Sequence, residues 1–107
     1  MDFSDIISPD AAPLPLMHPG DILLHDFMEP LGLTANALAK ALNVPPNRIT
    51  TIIKHQRSVT GDTALRLERH LGMSAEFWLG LQKDYELNKA KRKLRIKIEA
   101  EVSPRVA

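Results

Sequence analysis

From residue 19 onward the apolar positions recur at intervals of three and four, the spacing that keeps side chains on one face of an α-helix. Pro19-Gly20-Asp21 makes a helix entrance with an acid in its first turn, Ile22, Leu23, Phe27 and Met28 follow, and Pro30 is expected to end the helix. Thr34 is placed to cap a second helix carrying Ala35, Leu38, Ala39 and Leu42, which Asn43-Val44-Pro45 breaks. Proline is tolerated at a helix start but not inside one, so a third helix begins near Pro46 and runs to about Lys54, with Ile49, Ile52 and Ile53 inward. Thr60 is the expected cap of a fourth, whose apolar side holds Ala64, Leu65, Leu67 and Leu71 and which Gly72 ends. Ser74 caps a fifth, with an aromatic-rich stripe of Phe77, Trp78, Leu81 and Tyr85, and the helical period persists to about Lys91.

The flanks have no such regularity. Residues 1–17 hold Pro9, Pro13 and Pro15 and read as an extended N-terminal arm, with Phe3, Ile6, Ile7, Leu14 and Leu16 available for local packing. In Leu94 to Val102 apolar and charged residues alternate without a miss, which is a strand period. Leu94, Ile98 and Val102 also fall four apart, so continuation of the fifth helix is equally open. The chain thus divides into an arm (1–17), a helical domain (18–88) and a basic C-terminal extension (89–107).

At 107 residues, 44% hydrophobic and 25% charged, this is the composition of one ordinary globular domain with an all-α core. The absence of cysteine excludes a disulfide scaffold, a thiolate nucleophile and a Cys-based zinc or iron–sulfur site. No apolar run approaches the roughly 18 residues of a membrane span, and Met1-Asp2-Phe3-Ser4-Asp5 lacks the basic, apolar start of a signal peptide, so a cytoplasmic protein with no membrane contact is expected. The net charge of +1 conceals a segregation: residues 1–33 carry −6, residues 34–61 carry +4 and residues 62–107 carry +3. The 32 residues from Pro30 to Gly61 contain no carboxylate, as suits a segment facing a polyanion.

The second and third helices are joined by so few residues that they describe a helix-turn-helix. Its close crossing needs a small residue, supplied by Ala39; its turn needs an apolar plug, supplied by Val44; its second helix anchors through Ile49 and Ile52. With those two inward, Asn47, Thr51 and Lys54 point outward, flanked by Arg48 and Thr50, and each can bond to a base edge or a phosphate. Pro45-Pro46 removes backbone donors at that helix start, which leaves contacts there to side chains. The basic run Lys89, Lys91, Arg92, Lys93, Arg95 and Lys97 reads as a solvated face rather than a second polyanion contact, because acids resume at Glu99 and Glu101. Enzyme chemistry has little support: His18, His25, His55 and His70 have no ligand spacing, and neither a nucleophile–base pair nor a glycine-rich phosphate loop is present, so no metal, cofactor or catalytic residue is expected. A single helix-turn-helix reads few base pairs, and two-fold dimers are the usual remedy; a stripe such as Phe77, Trp78, Leu81 and Tyr85 is more often core, but part of it, with the following segment, is the candidate dimer surface.

His18-Pro19-Gly20 with Leu23, then Pro30-Leu31-Gly32-Leu33, Leu38-Ala39, Arg57, Thr60, Asp62-Thr63-Ala64-Leu65-Arg66-Leu67, Gly72, Phe77-Trp78-Leu79, Leu81-Gln82 and Tyr85-Glu86-Leu87 closely resemble the HigA (VapI-type) antitoxin family, a Cro/C1-type helix-turn-helix group. The resemblance covers about residues 17–88. It departs at Asn43, where a glycine is common, at Pro45-Pro46, and at His55-Gln56, where a glycine often ends the recognition helix. The resemblance implies a five-helix Cro/C1-type, lambda-repressor-like domain. It also implies a homodimeric autorepressor that binds double-stranded operator DNA and neutralises a HigB-like toxin of the RelE type, an mRNA interferase. On this reading Asn47, Thr50, Thr51 and Lys54 enter the major groove, and Thr34, Asn36, Arg48 and Arg57 meet phosphates. The acidic arm, or residues 94–102 through strand addition, are the candidate toxin contacts. A stand-alone Cro/C1-type regulator without a toxin, and an interaction module that has lost DNA binding, are the alternatives.

Overall fold

The computed structural model describes residues 16–106. Its first helix, α1, runs from an α-helical Pro19–Ile22 through π-helical turns at Leu23–Met28 to Glu29–Leu31. His18 caps it: Nδ1 accepts the Gly20 N–H at 2.9 Å while Asp21 accepts the His18 N–H at 3.4 Å, a reciprocal capping box with Pro19 at the first helical position. The wide turns precede Pro30, which brings no N–H and whose ring crowds the carbonyl four residues back. Pro30 therefore does not end the helix, as its sequence position suggests; the end comes at Leu31, on Gly32 in the left-handed conformation (φ 66°).

Helix α2 is Ala35–Leu42 and α3 is Pro46–Ile53. The Thr34 hydroxyl accepts the Ala37 N–H at 3.0 Å. Both helices close in the same way. Asn43 (φ 56°) and His55 (φ 64°) take the left-handed position, and the next residues return N–H bonds five back, Val44 to Ala39 at 3.0 Å and Gln56 to Thr51 at 2.8 Å. Helix α4, Gly61–Leu71, starts after Thr60, whose backbone has cap geometry but whose hydroxyl bonds no backbone N–H of the first turn, contrary to its expected role.

Helix α5 is Ala75–Glu101, 27 residues or about 40 Å at 1.5 Å per residue. Ser74 Oγ accepts the Phe77 N–H at 3.1 Å and Glu68 Oε2 accepts the Ala75 N–H at 2.6 Å, which together fix its start against α4. Residues 94–101 continue this helix, so the strand reading and the strand addition built on it are corrected: backbone groups already paired within a helix cannot pair with a partner strand. The division between residues 88 and 89 falls inside α5 rather than at a linker. Residues 1–15 of the expected arm lie outside the described residues.

The core is formed by one buried side from each helix, with Leu23, Met28, Leu38, Leu42, Ile49, Ile52, Leu67 and Trp78 closed off from solvent. Ala39 is fully buried where α2 crosses α3, and Val44 packs against the same cluster, as the helix-turn-helix requires. Like His18 and Thr63, Gln82 is buried among them although polar. Its Oε1 accepts the Val59 N–H at 2.8 Å and its amide donates to Glu86 at 3.0 Å and Ser58 at 3.3 Å, tying the segment after α3 to α5. Among the described residues no helix is long and apolar enough to cross a membrane.

Candidate nucleic-acid interface

The outward face of α3 carries the side chains that the sequence points to. Asn47 and Lys54 are exposed, and Thr50 and Thr51 are half-buried at the foot of the same face. Both threonine hydroxyls turn back onto the helix: Thr51 donates to the Asn47 carbonyl, and Thr50 donates to the same carbonyl at 3.3 Å. Their protons are thereby committed, which leaves oxygen lone pairs and methyl groups to face a ligand. Thr34 and Asn36 are exposed at the start of α2, and Arg57 is exposed just beyond α3.

Arg48 is placed differently from the expectation of a free phosphate contact. Its guanidinium is held by the Asp62 carboxylate at the start of α4, which also takes Arg66 Nε at 3.1 Å, and Arg66 in turn donates to the Leu42 carbonyl at 2.9 Å. Arg66, and then Arg48, hold the Asp62 carboxyl below its ordinary value, so it is an anion next to the recognition helix. The acid-free stretch of sequence stops one residue short of this aspartate, and the fold brings it back. Only the spacing of Asp62 and Arg66 at i, i+4 was visible as a signal.

A second cluster secures the C-terminal end of α3. The His55 ring stacks on His18 with centroids 4.4 Å apart and donates from Nε2 to Asp21 at 2.7 Å, and Tyr85 meets His18 edge-on at 4.7 Å. Burial lowers the His18 pKa from its ordinary 6.5, and the neighbouring His55 adds to this. The capping bond requires an unprotonated Nδ1, which agrees. Sequence reasoning sets His18 and His55 aside as metal ligands and otherwise treats them as a member of a motif and a departure from it; their contact joins positions 37 residues apart.

The proposed dimer stripe is placed mostly inward. Trp78 is fully buried and packs against Phe27 and Phe77 at 5.0 and 5.1 Å, so it is a core residue and not a surface one. Phe77, Leu81 and Tyr85 are half-buried. The large apolar residues that α5 leaves exposed are Leu79 beside the stripe and, in the segment that follows it, Leu87, Ile96 and Ile98. Among the described residues no group of three His, Asp or Glu side chains is arranged to hold a metal ion.

The chain matches the Helix-turn-helix family over residues 24–78. It is 49% identical over 79 residues to virulence-associated protein I of Dichelobacter nodosus, covering 74% of this chain and 73% of that protein. An addiction module antidote protein of the HigA family from Coxiella burnetii superposes with a TM-score of 0.81 at 44% identity, over 86% of this chain and all of the other. The Pseudomonas aeruginosa antitoxin HigA, solved with the higBA promoter, gives 0.82 at 36% identity over 86% of this chain and all of its own. These relatives bear the names of antitoxins and virulence-associated proteins rather than enzymes. The chain belongs to the Cro/C1-type helix-turn-helix family, among its HigA and VapI-type members.

Proposed function

We propose that this protein is the antitoxin of a type II toxin–antitoxin pair, a homodimer that represses its own operon and neutralises a HigB-like mRNA interferase in the cytoplasm. The observation that supports the DNA half is the outward face of α3, where Asn47, Thr50, Thr51 and Lys54 stand together, with Arg57 beyond its end. The first four read base edges in the major groove. Thr34, Asn36, Arg57 and, once freed from Asp62, Arg48 hold phosphates on either side. A relative solved with the higBA promoter supports DNA binding by this fold.

The second copy packs along α5, against the half-buried Phe77, Leu81 and Tyr85 and the exposed Leu87 and Ile98 beyond them. That pairing sets two α3 helices to meet successive major-groove faces, about 34 Å apart. The toxin half rests on family membership, with the acidic residues 1–17 as the contact that suits a basic, RNA-cleaving partner.

A mobility-shift titration on the DNA upstream of the gene, against a scrambled duplex of equal length at two salt concentrations, tests the reading. Specific binding that saturates at two chains per palindrome is expected. Arg57→Ala flattens the salt slope by about 0.9. Equal, weak binding to both duplexes overturns the repressor reading, and failure to co-purify with the product of an adjacent small gene overturns the toxin half.

A further inference from the structure

The basic run of α5 is divided between two sides of the helix. Leu87 and Ile98 share one side with Ala90, and Lys91 and Arg95 border the shallow apolar groove that they form. Lys89, Lys93 and Lys97 recur every fourth residue on the other side, so their ammonium groups make a row with steps of about 6 Å. Sequence alone reads this run as a solvated face; the fold gives the row a starting point.

Lys89 and Lys93 line a cleft of about 330 Å³ with Arg57 and Ser58, beside the C-terminal end of α3. Arg57 also lines the hollow between Arg48 and Asp62 at the start of α4, and so joins the recognition-helix surface to the lysine row. The acid in the cleft, Glu86, already accepts from the Gln82 amide at 3.0 Å and the Ser58 hydroxyl at 3.3 Å. Lys89 Nζ is steadied over the Tyr85 ring, 5.6 Å from its centroid. Lys93 and Lys97 are exposed and make no ion pair with any described residue.

We propose that Arg57, Lys89, Lys93 and Lys97 form a second phosphate-contacting track, which holds the DNA backbone beyond the reach of the helix-turn-helix itself. This rests on the DNA-binding reading above and extends it to the side of α5 turned away from the Leu87–Ile98 groove. The track carries no base information, so it acts on any duplex.

The test compares two double variants that remove the same charge from opposite sides of α5, Lys93→Gln/Lys97→Gln and Lys91→Gln/Arg95→Gln. Binding to the upstream DNA and to a scrambled duplex is measured over a range of salt, with light scattering to confirm an unchanged oligomeric state. The first variant is expected to lower the slope of log K against log salt by about 1.8 on both duplexes, at about 0.9 per phosphate, and to weaken binding at least tenfold near 0.15 M salt. The second is expected to change the slope by less than half as much. Equal effects of the two variants, or a wild-type slope in the first, overturn the track while leaving the DNA-binding reading intact. An unchanged slope on DNA combined with lost binding to polyglutamate assigns the row to an acidic polypeptide and overturns the track as well. Absence of wild-type binding to either duplex overturns both.

Discussion

Gly20 and Ile52 meet backbone to backbone: a Cβ built on Gly20 would stand 2.2 Å from the Ile52 carbonyl oxygen. The first turn of α1 therefore presses directly on the recognition helix, and nothing flexible is available to give way. Gly20→Ala forces the two helices apart and is expected to cost about 3 kcal/mol in urea unfolding. Gly80 supplies the control, because its Cβ would meet nothing within 4 Å inside α5. Gly80→Ala is expected to stabilise by about 1 kcal/mol through helix propensity. Equal effects at the two glycines would show that the α1–α3 contact is not what Gly20 protects.

The His18 ring gives stability a pH dependence whose sign follows from its cap. Folding holds the ring neutral, with its pKa lowered from 6.5, so below about pH 6.5 the unfolded chain binds the proton more readily than the folded one. Stability from this group is complete above pH 6.5 and is lost as pH falls through the lowered folded value. The groups that face the ring are His55, Asp21, Tyr85, Glu86 and Lys89, and the two carboxylates offset only part of the effect of burial and His55. His18→Asn keeps a side-chain acceptor at the cap but cannot titrate. Urea midpoints measured from pH 5 to 7 should fall more steeply for the wild type than for this variant; parallel curves would refute the assignment.

Much of this fold was legible from periodicity, and the reasons for the exceptions are particular. The turn after α2 was readable because Asn43 is among the few residues that tolerate the left-handed position the helix end demands. His55 takes the same conformation, but no local pattern announces that its ring is held by Asp21 and His18 from another helix. Residues 94–101 satisfy both a two-residue and a four-residue period, and continuity with a helix that is already nucleated decides for the latter. Trp78 was misplaced because an aromatic on a helix looks the same from sequence whether it faces its own core or a partner. The site residues on α3 follow from the wheel, whereas the Arg48–Asp62 pair depends on how α4 returns.

On the proposed DNA-binding reading, Asp62 restrains the interface. Its carboxylate occupies Arg48 and places a negative charge where a phosphate would approach. Asp62→Asn frees the guanidinium and removes the repulsion, so non-specific affinity for duplex DNA is expected to rise severalfold and the salt slope to steepen by about 0.9. The pair is solvent-exposed, and its loss is expected to leave the unfolding midpoint almost unchanged. Weaker binding in the variant would mean that Asp62 orients Arg48 for its contact rather than withholding it.

The back-bonded hydroxyls of α3 make a prediction about how bases are read. Thr51 spends its proton on the Asn47 carbonyl, so what it would turn to a groove is an oxygen lone pair and a methyl group, and the methyl suits a thymine. Thr51→Val preserves the methyl and the β-branched shape, and operator affinity is expected to change by less than about threefold. Thr51→Ala removes the side chain beyond Cβ and should lose more, with relaxed preference at one base position. Asn47 differs, since its exposed amide has both donor and acceptor free for an adenine edge; Asn47→Ala is expected to cost about 1–3 kcal/mol of discrimination. Affinities measured on a set of single-base operator variants separate these outcomes. If Thr51→Val loses as much as Thr51→Ala, the hydroxyl oxygen and not the methyl reads the base, accepting through a lone pair that the bond to Asn47 leaves free.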